Sequence, residues 1–249
     1  CKLCREIIPD VPIIAGGPQL VPYDETEPLK KFVDIVIYGE GEEVIYDAVK
    51  LALSGKKNIP SSPYEIFGQP VDLSKVKLPY YLYEDKDIEN RVVYVEATRG
   101  CPFSCEYCTS AGSGGIRYFP LEALKREFLK LINRGVIHFK FLDRSFNHGG
   151  EHSLALLDFF RENYKEGMTL HFEFTPEEPN EAWRQRLCAF PPKTLHLEVG
   201  IQTWEPEIAA RIKRPLNREK TTQTLKFLIE EAKADVHADL IIGLPGEGI

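Results

Sequence analysis

Residues 92–108 read V-V-Y-V-E-A-T-R-G-C-P-F-S-C-E-Y-C, running from Val92 to Cys108. The first four residues are β-branched or aromatic and predict a strand. The strand runs into a loop that sets three thiols, Cys101, Cys105 and Cys108, in a C-x3-C-x2-C pattern. Gly100 and Pro102 shape its turn, and Arg99 places a positive charge beside prospective thiolates. Three thiolates on one short loop suit three irons of a cubane and leave the fourth iron without a protein ligand, whereas clusters held for electron transfer usually have four thiolates. The other ligand set open to the loop is a zinc site completed by a distant imidazole, such as His138 or His148.

Beyond the loop the chain alternates helical and strand-like stretches. A helix is predicted from Pro120, a favoured first-turn residue, with Leu121, Leu124, Phe128, Leu131 and Ile132 on one face and Gly135 at its end. Strand-like runs recur at 136–142, 169–174, 194–199 and 236–242, separated by helical stretches near 153–165, 180–189 and 217–233. Such alternation implies parallel strands with right-handed crossovers, in a doubly wound sheet or a barrel. Ligands of either architecture sit at the carboxyl ends of the strands, where the cysteine loop lies. Five strands do not close a barrel of the usual kind. Upstream, the apolar runs 11–15 and 32–38 each meet a glycine loop, and a helical stretch, 43–53, comes after the second, which is an α/β layer. The expected organisation is an α/β layer over 1–58, a linker over 59–90 rich in Ser, Pro, Lys and Tyr, and a doubly wound sheet or partial β/α barrel over 91–249. The start at Cys1 and the stop directly after an apolar run predict a fragment of a longer protein.

Of 249 residues, 43% are hydrophobic and 28% charged, an ordinary globular composition. The 38 acidic residues outnumber the 31 basic ones, for a formal net charge of -7. That balance is no footprint for nucleic acid or an anionic membrane and favours a small-molecule or peptide substrate. No apolar run approaches the ~20 residues that span a bilayer. Three of the six cysteines fall within 101–108, which favours a metal site in a reducing, cytoplasmic setting over a disulfide framework. Cys1 and Cys4 form a C-x-x-C with no second pair, and Cys188 is expected to be a small buried hydrophobe.

A C-x3-C-x-aromatic-C loop after a first strand resembles the signature of the radical S-adenosylmethionine superfamily. The resemblance implies a [4Fe–4S] cluster on Cys101, Cys105 and Cys108, with an open iron that chelates the amino and carboxylate groups of S-adenosylmethionine. It also implies a reductant such as flavodoxin or ferredoxin, whose electron cleaves the sulfonium to a 5′-deoxyadenosyl radical. Tyr107 then lies near the adenine. Asp143, in F-L-D-R-S-F-N, stands where the family commonly carries a Gly-Gly-Glu that accepts the methionine amine, a departure from the pattern. Glu198 and Gln202, in L-E-V-G-I-Q-T, are similar to an E-x-G-x-Q-S segment that reaches ribose and methionine. Arg211, in A-A-R-I-K-R, resembles a helix arginine that pairs with the methionine carboxylate.

The run Asp239 to Glu247, ending G-L-P-G-E, resembles the late strand of the coproporphyrinogen-oxidase-like and cobalamin-dependent branches. Gly16-Gly17-Pro18 and D-I-V-I-Y-G-E-G-E-E are similar to the second half of a Rossmann-like cobalamin-binding domain, in which Gly16, Gly17, Gly39 and Gly41 would let a corrin approach the backbone. The alternative is a pair of βα turns that bind nothing. The first histidine is His138, so no imidazole in the first sixty residues can serve as a lower cobalt ligand. That ligand lies upstream of Cys1, or the cofactor binds without one, or the fold has lost it. The resemblance implies cobalamin-dependent methyl transfer to an unactivated carbon. A radical oxidoreductase or methylthiotransferase without cobalamin, and an electron-transfer iron–sulfur protein, stand as alternatives.

Overall fold

The computed structural model describes residues 1–18, 20, 22, 28–61, 63–111 and 114–248. These fall into two compact units, 1–76 and 77–249.

The first unit is a short α/β layer. Helix α1 (Lys2–Ile7) precedes strand β1 (Ile14–Gly16), then come β2 (Ile35–Gly39), α2 (Ile45–Leu53) and β3 (Tyr64–Gly68). The three strands are parallel in the order β1-β2-β3. The middle strand is apolar throughout because both its faces are covered. Ile35 and Ile37 pack with Ala48 and Ala52 on one side, and Val33, Val36 and Tyr38 pack with Ile13 and Ala15 on the other. The span 59–90, expected to be a linker, instead supplies the third strand. Tyr64 and Ile66 pack on the Ile35 and Ile37 cluster, a contact that the flanking Pro60, Pro63 and Pro70 conceal in the sequence. Two glycines at the strand ends answer a backbone need: a side chain on Gly39 would collide with the carbonyl of Gly68, and one on Gly68 with the carbonyl of Glu40.

The second unit is the expected partial barrel. After α3 (Asp85–Asn90) and β4 (Val93–Val95), the short strands β5 (Thr98–Arg99) and β6 (Arg117–Tyr118) pair antiparallel across the cysteine loop. Helices and strands then alternate: α4 (Leu121–Asn133), β7 (His138–Phe141), α5 (Gly150–Glu162), β8 (Thr169–Phe174), α6 (Glu181–Leu187), β9 (Leu195–Gln202), α7 (Pro206–Arg211), α8 (Arg218–Lys226) and β10 (Asp235–Leu240). The main sheet is parallel throughout, in the order β10-β9-β8-β7-β4. Its helix-covered face is a fused aromatic core. Phe128 of α4 and Phe160 of α5 meet Phe139 and Phe141 of β7, with ring centroids 5.1–6.3 Å apart. Parallel strands are usually apolar on both faces. Here the opposite face carries Lys140, His171, Glu173 and Glu198, all partly exposed, in a register that sets Lys140 beside His171 and Glu173 beside Glu198. Cys188 is exposed rather than buried, because it caps the C-terminus of α6 beyond its apolar face. Among the described residues no helix is long and apolar enough to cross a membrane.

Candidate functional site

The cysteine loop is held from several sides. Its start is bracketed by the β5–β6 pair. Its middle is tied to the end of α7 by Glu106 N–H donating to the Ile212 carbonyl at 3.1 Å, and by the Lys213–Glu106 ion pair at 2.8 Å. Cys108 N–H donates to the Cys105 carbonyl, and Ser110 N–H to the Cys108 sulfur at 3.4 Å. Cys105 is buried, while Cys101 and Cys108 are partly exposed.

The three thiols border a cleft of about 250 Å³ whose other walls are Phe103, Tyr107, Arg144, Glu173, Glu198, Gly200, Gln202, Arg214 and Asp239. Loop and strand ends therefore share one space, as the βα arrangement requires. The donor set suits a cubane, in which each thiolate binds its own iron. Among the described residues no group of three His, Cys, Asp or Glu side chains is arranged to hold a single metal ion. His138 opens β7, exposed and bonded to Thr169, while His148 is engaged with Thr175 and Glu177.

Of the expected residues, the structure brings Tyr107, Glu198 and Gln202 to this cleft with the cysteines. Burial raises the Tyr107 phenol above its usual range. Burial opposes ionisation of Glu198, but the hydrogen bond from Lys140 (3.1 Å) and the adjacent charges of His171 (2.8 Å) and Lys140 outweigh it and hold the carboxyl below the usual carboxylate value. Gln202 has φ 71° at a bulge, where Asp239 faces Gly200 but Leu240 faces Gln202. The extra residue re-aims the side chain at the strand end. A side chain on Gly200 would strike the Gln202 amide.

Arg211 and Asp143 lie elsewhere. Arg211 donates to the Pro245 carbonyl at 2.7 Å and holds the G-L-P-G-E loop. Two guanidinium groups line the cleft: Arg144, which pairs with Glu173 at 3.6 Å, and Arg214. Helix α7 ends in a Schellman turn: Arg214 N–H reaches the Ala209 carbonyl, Lys213 N–H reaches that of Ala210, and Lys213 takes φ 55°. The reversal turns Arg214 back over the loop. There it donates to the Gly200 carbonyl at 2.5 Å, lies 3.9 Å from the Cys105 sulfur and sits 5.5 Å over the Phe103 ring. Glu173 was also missed. It faces the cleft from an inward position of T-L-H-F-E-F, where burial raises its pKa against the opposing charge of Arg144, 3.6 Å away.

Asp143 is fully buried. Its carboxylate accepts from Ala97 N–H at 3.0 Å and from the Thr98 hydroxyl at 2.6 Å, so it secures the limb that leads into the cysteine loop. Burial pushes its pKa up to about 7, with those hydrogen bonds working in the opposite direction. Below about pH 4 the group is protonated in both the folded and unfolded states. Between there and pH 7 the folded state holds more protons, so stability falls as pH rises, by on the order of 4 kcal/mol. Asp143→Asn is expected to flatten that slope in urea unfolding measured from pH 4 to pH 8; an unchanged slope would sink the assignment.

In the first unit, Gly16 ends β1, Gly17 (φ 115°) comes directly after it, and Gly39 ends β2. Gly17 and Gly41 have open space where a side chain would stand, so their edges are accessible.

A family model described as the radical SAM superfamily matches residues 95–249, more than half of the chain. A comparison with curated protein sequences finds no significant match. Among solved structures, the chain is similar to TsrM from Kitasatospora setae, a radical S-adenosylmethionine methyltransferase. The structure with tryptophan substrate and a SAM analogue matches over 95% of this chain and 50% of that one, at 14% identity and a TM-score of 0.65. The structure with cobalamin and a [4Fe–4S] cluster matches over 63% of this chain and 32% of that one, at 18% identity and a TM-score of 0.54. The chain thus spans half or less of the length of these structures, and at such identities the likeness is one of fold. With three thiols on a loop at the carboxyl ends of a parallel half-barrel, and the family model spanning that half-barrel, the chain belongs to the radical S-adenosylmethionine superfamily.

Proposed function

We propose that this chain forms part of a radical S-adenosylmethionine enzyme that uses cobalamin to transfer a methyl group to an unactivated carbon. The observation that carries the radical part is the cleft shared by Cys101, Cys105 and Cys108 with Glu173, Glu198, Gln202 and Arg214. The cobalamin part is supported by the parallel, glycine-edged sheet of the first unit and by the fold likeness to TsrM.

In this reading the three thiolates each hold one iron and leave one for S-adenosylmethionine. Bound there and reduced by flavodoxin or ferredoxin, such a cluster would supply the single electron that reductive cleavage of S-adenosylmethionine needs. The chain's own part is positioning. Arg214, anchored on the Gly200 carbonyl, presents a planar cation to the methionine carboxylate. Glu173 offers an acceptor to the ammonium, taking the role that Asp143 cannot fill while its oxygens are engaged by Ala97 and Thr98. Glu198, kept ionised by Lys140 and His171, accepts from ribose hydroxyls together with Gln202. Tyr107 lays its ring along the adenine.

Anaerobically reconstituted full-length protein should release 5′-deoxyadenosine when given dithionite and S-adenosylmethionine; no release sinks the radical reading. Failure of the same protein to retain cobalamin sinks the methyl-transfer part. A radical oxidoreductase without a corrin is the second reading. It is favoured by Gly39 and Gly68, which the backbone itself requires.

A further inference from the structure

Strand β4 is an edge of the main sheet, bonded on one side only, to β7. Its outer side turns the N–H and C=O groups of Tyr94 and Glu96 away from β7, and edge groups of this kind are open to unwanted pairing. Here two phenols occupy them. The Tyr83 hydroxyl accepts from Tyr94 N–H and donates to the Tyr94 carbonyl, both at 3.0 Å. The Tyr80 hydroxyl accepts from Glu96 N–H at 2.9 Å and donates to the Glu96 carbonyl at 3.2 Å. Each hydroxyl thus makes the paired exchange that a residue of a neighbouring antiparallel strand would make.

The phenols are themselves fixed. The ring of Tyr80 is buried 5.7 Å from that of Phe128, and the Tyr83 carbonyl accepts from Arg134 at 2.7 Å. On the loop side, Ala97 N–H and the Thr98 hydroxyl go to Asp143, and the Ala97 carbonyl accepts from Phe119 N–H. The chain from Tyr94 to Thr98 is therefore clasped on both sides, three residues before Cys101.

We propose that Tyr80 and Tyr83 are positioning residues: they stand in for a strand along β4 and so hold the limb from which the cysteine loop springs. The proposal rests on reading Cys101, Cys105 and Cys108 as the cluster ligands. Tyr80→Phe and Tyr83→Phe keep the rings and delete both bonds of each phenol, leaving an N–H and a C=O unpaired.

The test compares full-length wild type, each single variant and the double variant. It measures amide hydrogen exchange at Tyr94 and Glu96, the rate at which an iron chelator strips the reconstituted cluster, and the electron paramagnetic resonance spectrum of the reduced protein. In the double variant, exchange at both amides should rise about tenfold. Iron should leave several-fold faster than from wild type, and the spectrum should broaden, with circular dichroism unchanged. Faster exchange with unchanged iron release and spectrum would overturn the positioning role, and unchanged exchange would overturn the cap itself. Should the double variant not fold, the single variants decide by the same readouts, each at its own amide. A wild type that takes up no iron would instead overturn the reading of the cysteines, while exchange in that iron-free chain would still decide the cap.

Discussion

Cys105→Ala in the full-length protein is expected to abolish the cluster and, with it, 5′-deoxyadenosine formation. Cys105 is the buried member of the three, and its sulfur faces the guanidinium of Arg214. Removing a thiolate from a three-thiolate cubane leaves two irons without protein ligands. Outer partners of metal ligands already cost about 10- to 100-fold when removed, so loss of a ligand itself should exceed 100-fold. Iron and sulfide analysis after anaerobic reconstitution should show the bound cluster gone, and product assays should fall to background. Cys188→Ala is the matched control: it removes a thiol that is exposed at the end of α6 and should leave iron content unchanged. Retention of a full cluster by the Cys105 variant would refute the three-thiolate assignment.

The parts of this molecule legible in sequence are those governed by periodicity and by local spacing. Apolar runs separated by amphipathic stretches located every strand of the main sheet, because a sheet covered by helices must be apolar on that face. The cysteine spacing located the loop because three thiols within eight positions need no tertiary information. What escaped depends on chain reversals and on burial. Arg211 and Arg214 stand three apart in A-A-R-I-K-R, and helical periodicity would put them on one face. The helix stops between them, and the left-handed Lys213 sends them to different places. Asp143 was legible as a carboxylate at a strand end, but not as one already occupied by two donors, Ala97 and Thr98, from the limb that leads into the cysteine loop. The third strand of the first unit was hidden because Pro60, Pro63 and Pro70 flank a run of only five residues.

That same helix end separates two variants that differ little in sequence terms. Arg214→Ala is expected to weaken S-adenosylmethionine binding by about 10- to 150-fold, since a hydrogen-bonded pair with a charged group contributes about 1.5–3 kcal/mol. Arg211→Ala removes only a bond to the Pro245 carbonyl at an exposed position and should change binding by less than about threefold. Arg214→Lys should recover part of the loss, because an ammonium keeps the charge but cannot form the planar fork. Equilibrium binding to the anaerobically reconstituted protein reads all three. Iron content must be measured alongside, because Arg214 also lies 3.9 Å from the Cys105 sulfur and over the Phe103 ring. Weaker binding at full iron content assigns Arg214 to the methionine carboxylate. Loss of iron would assign it to the cluster loop instead, and a larger binding defect in the Arg211 variant would restore the helix arginine and overturn the role given to the Schellman turn.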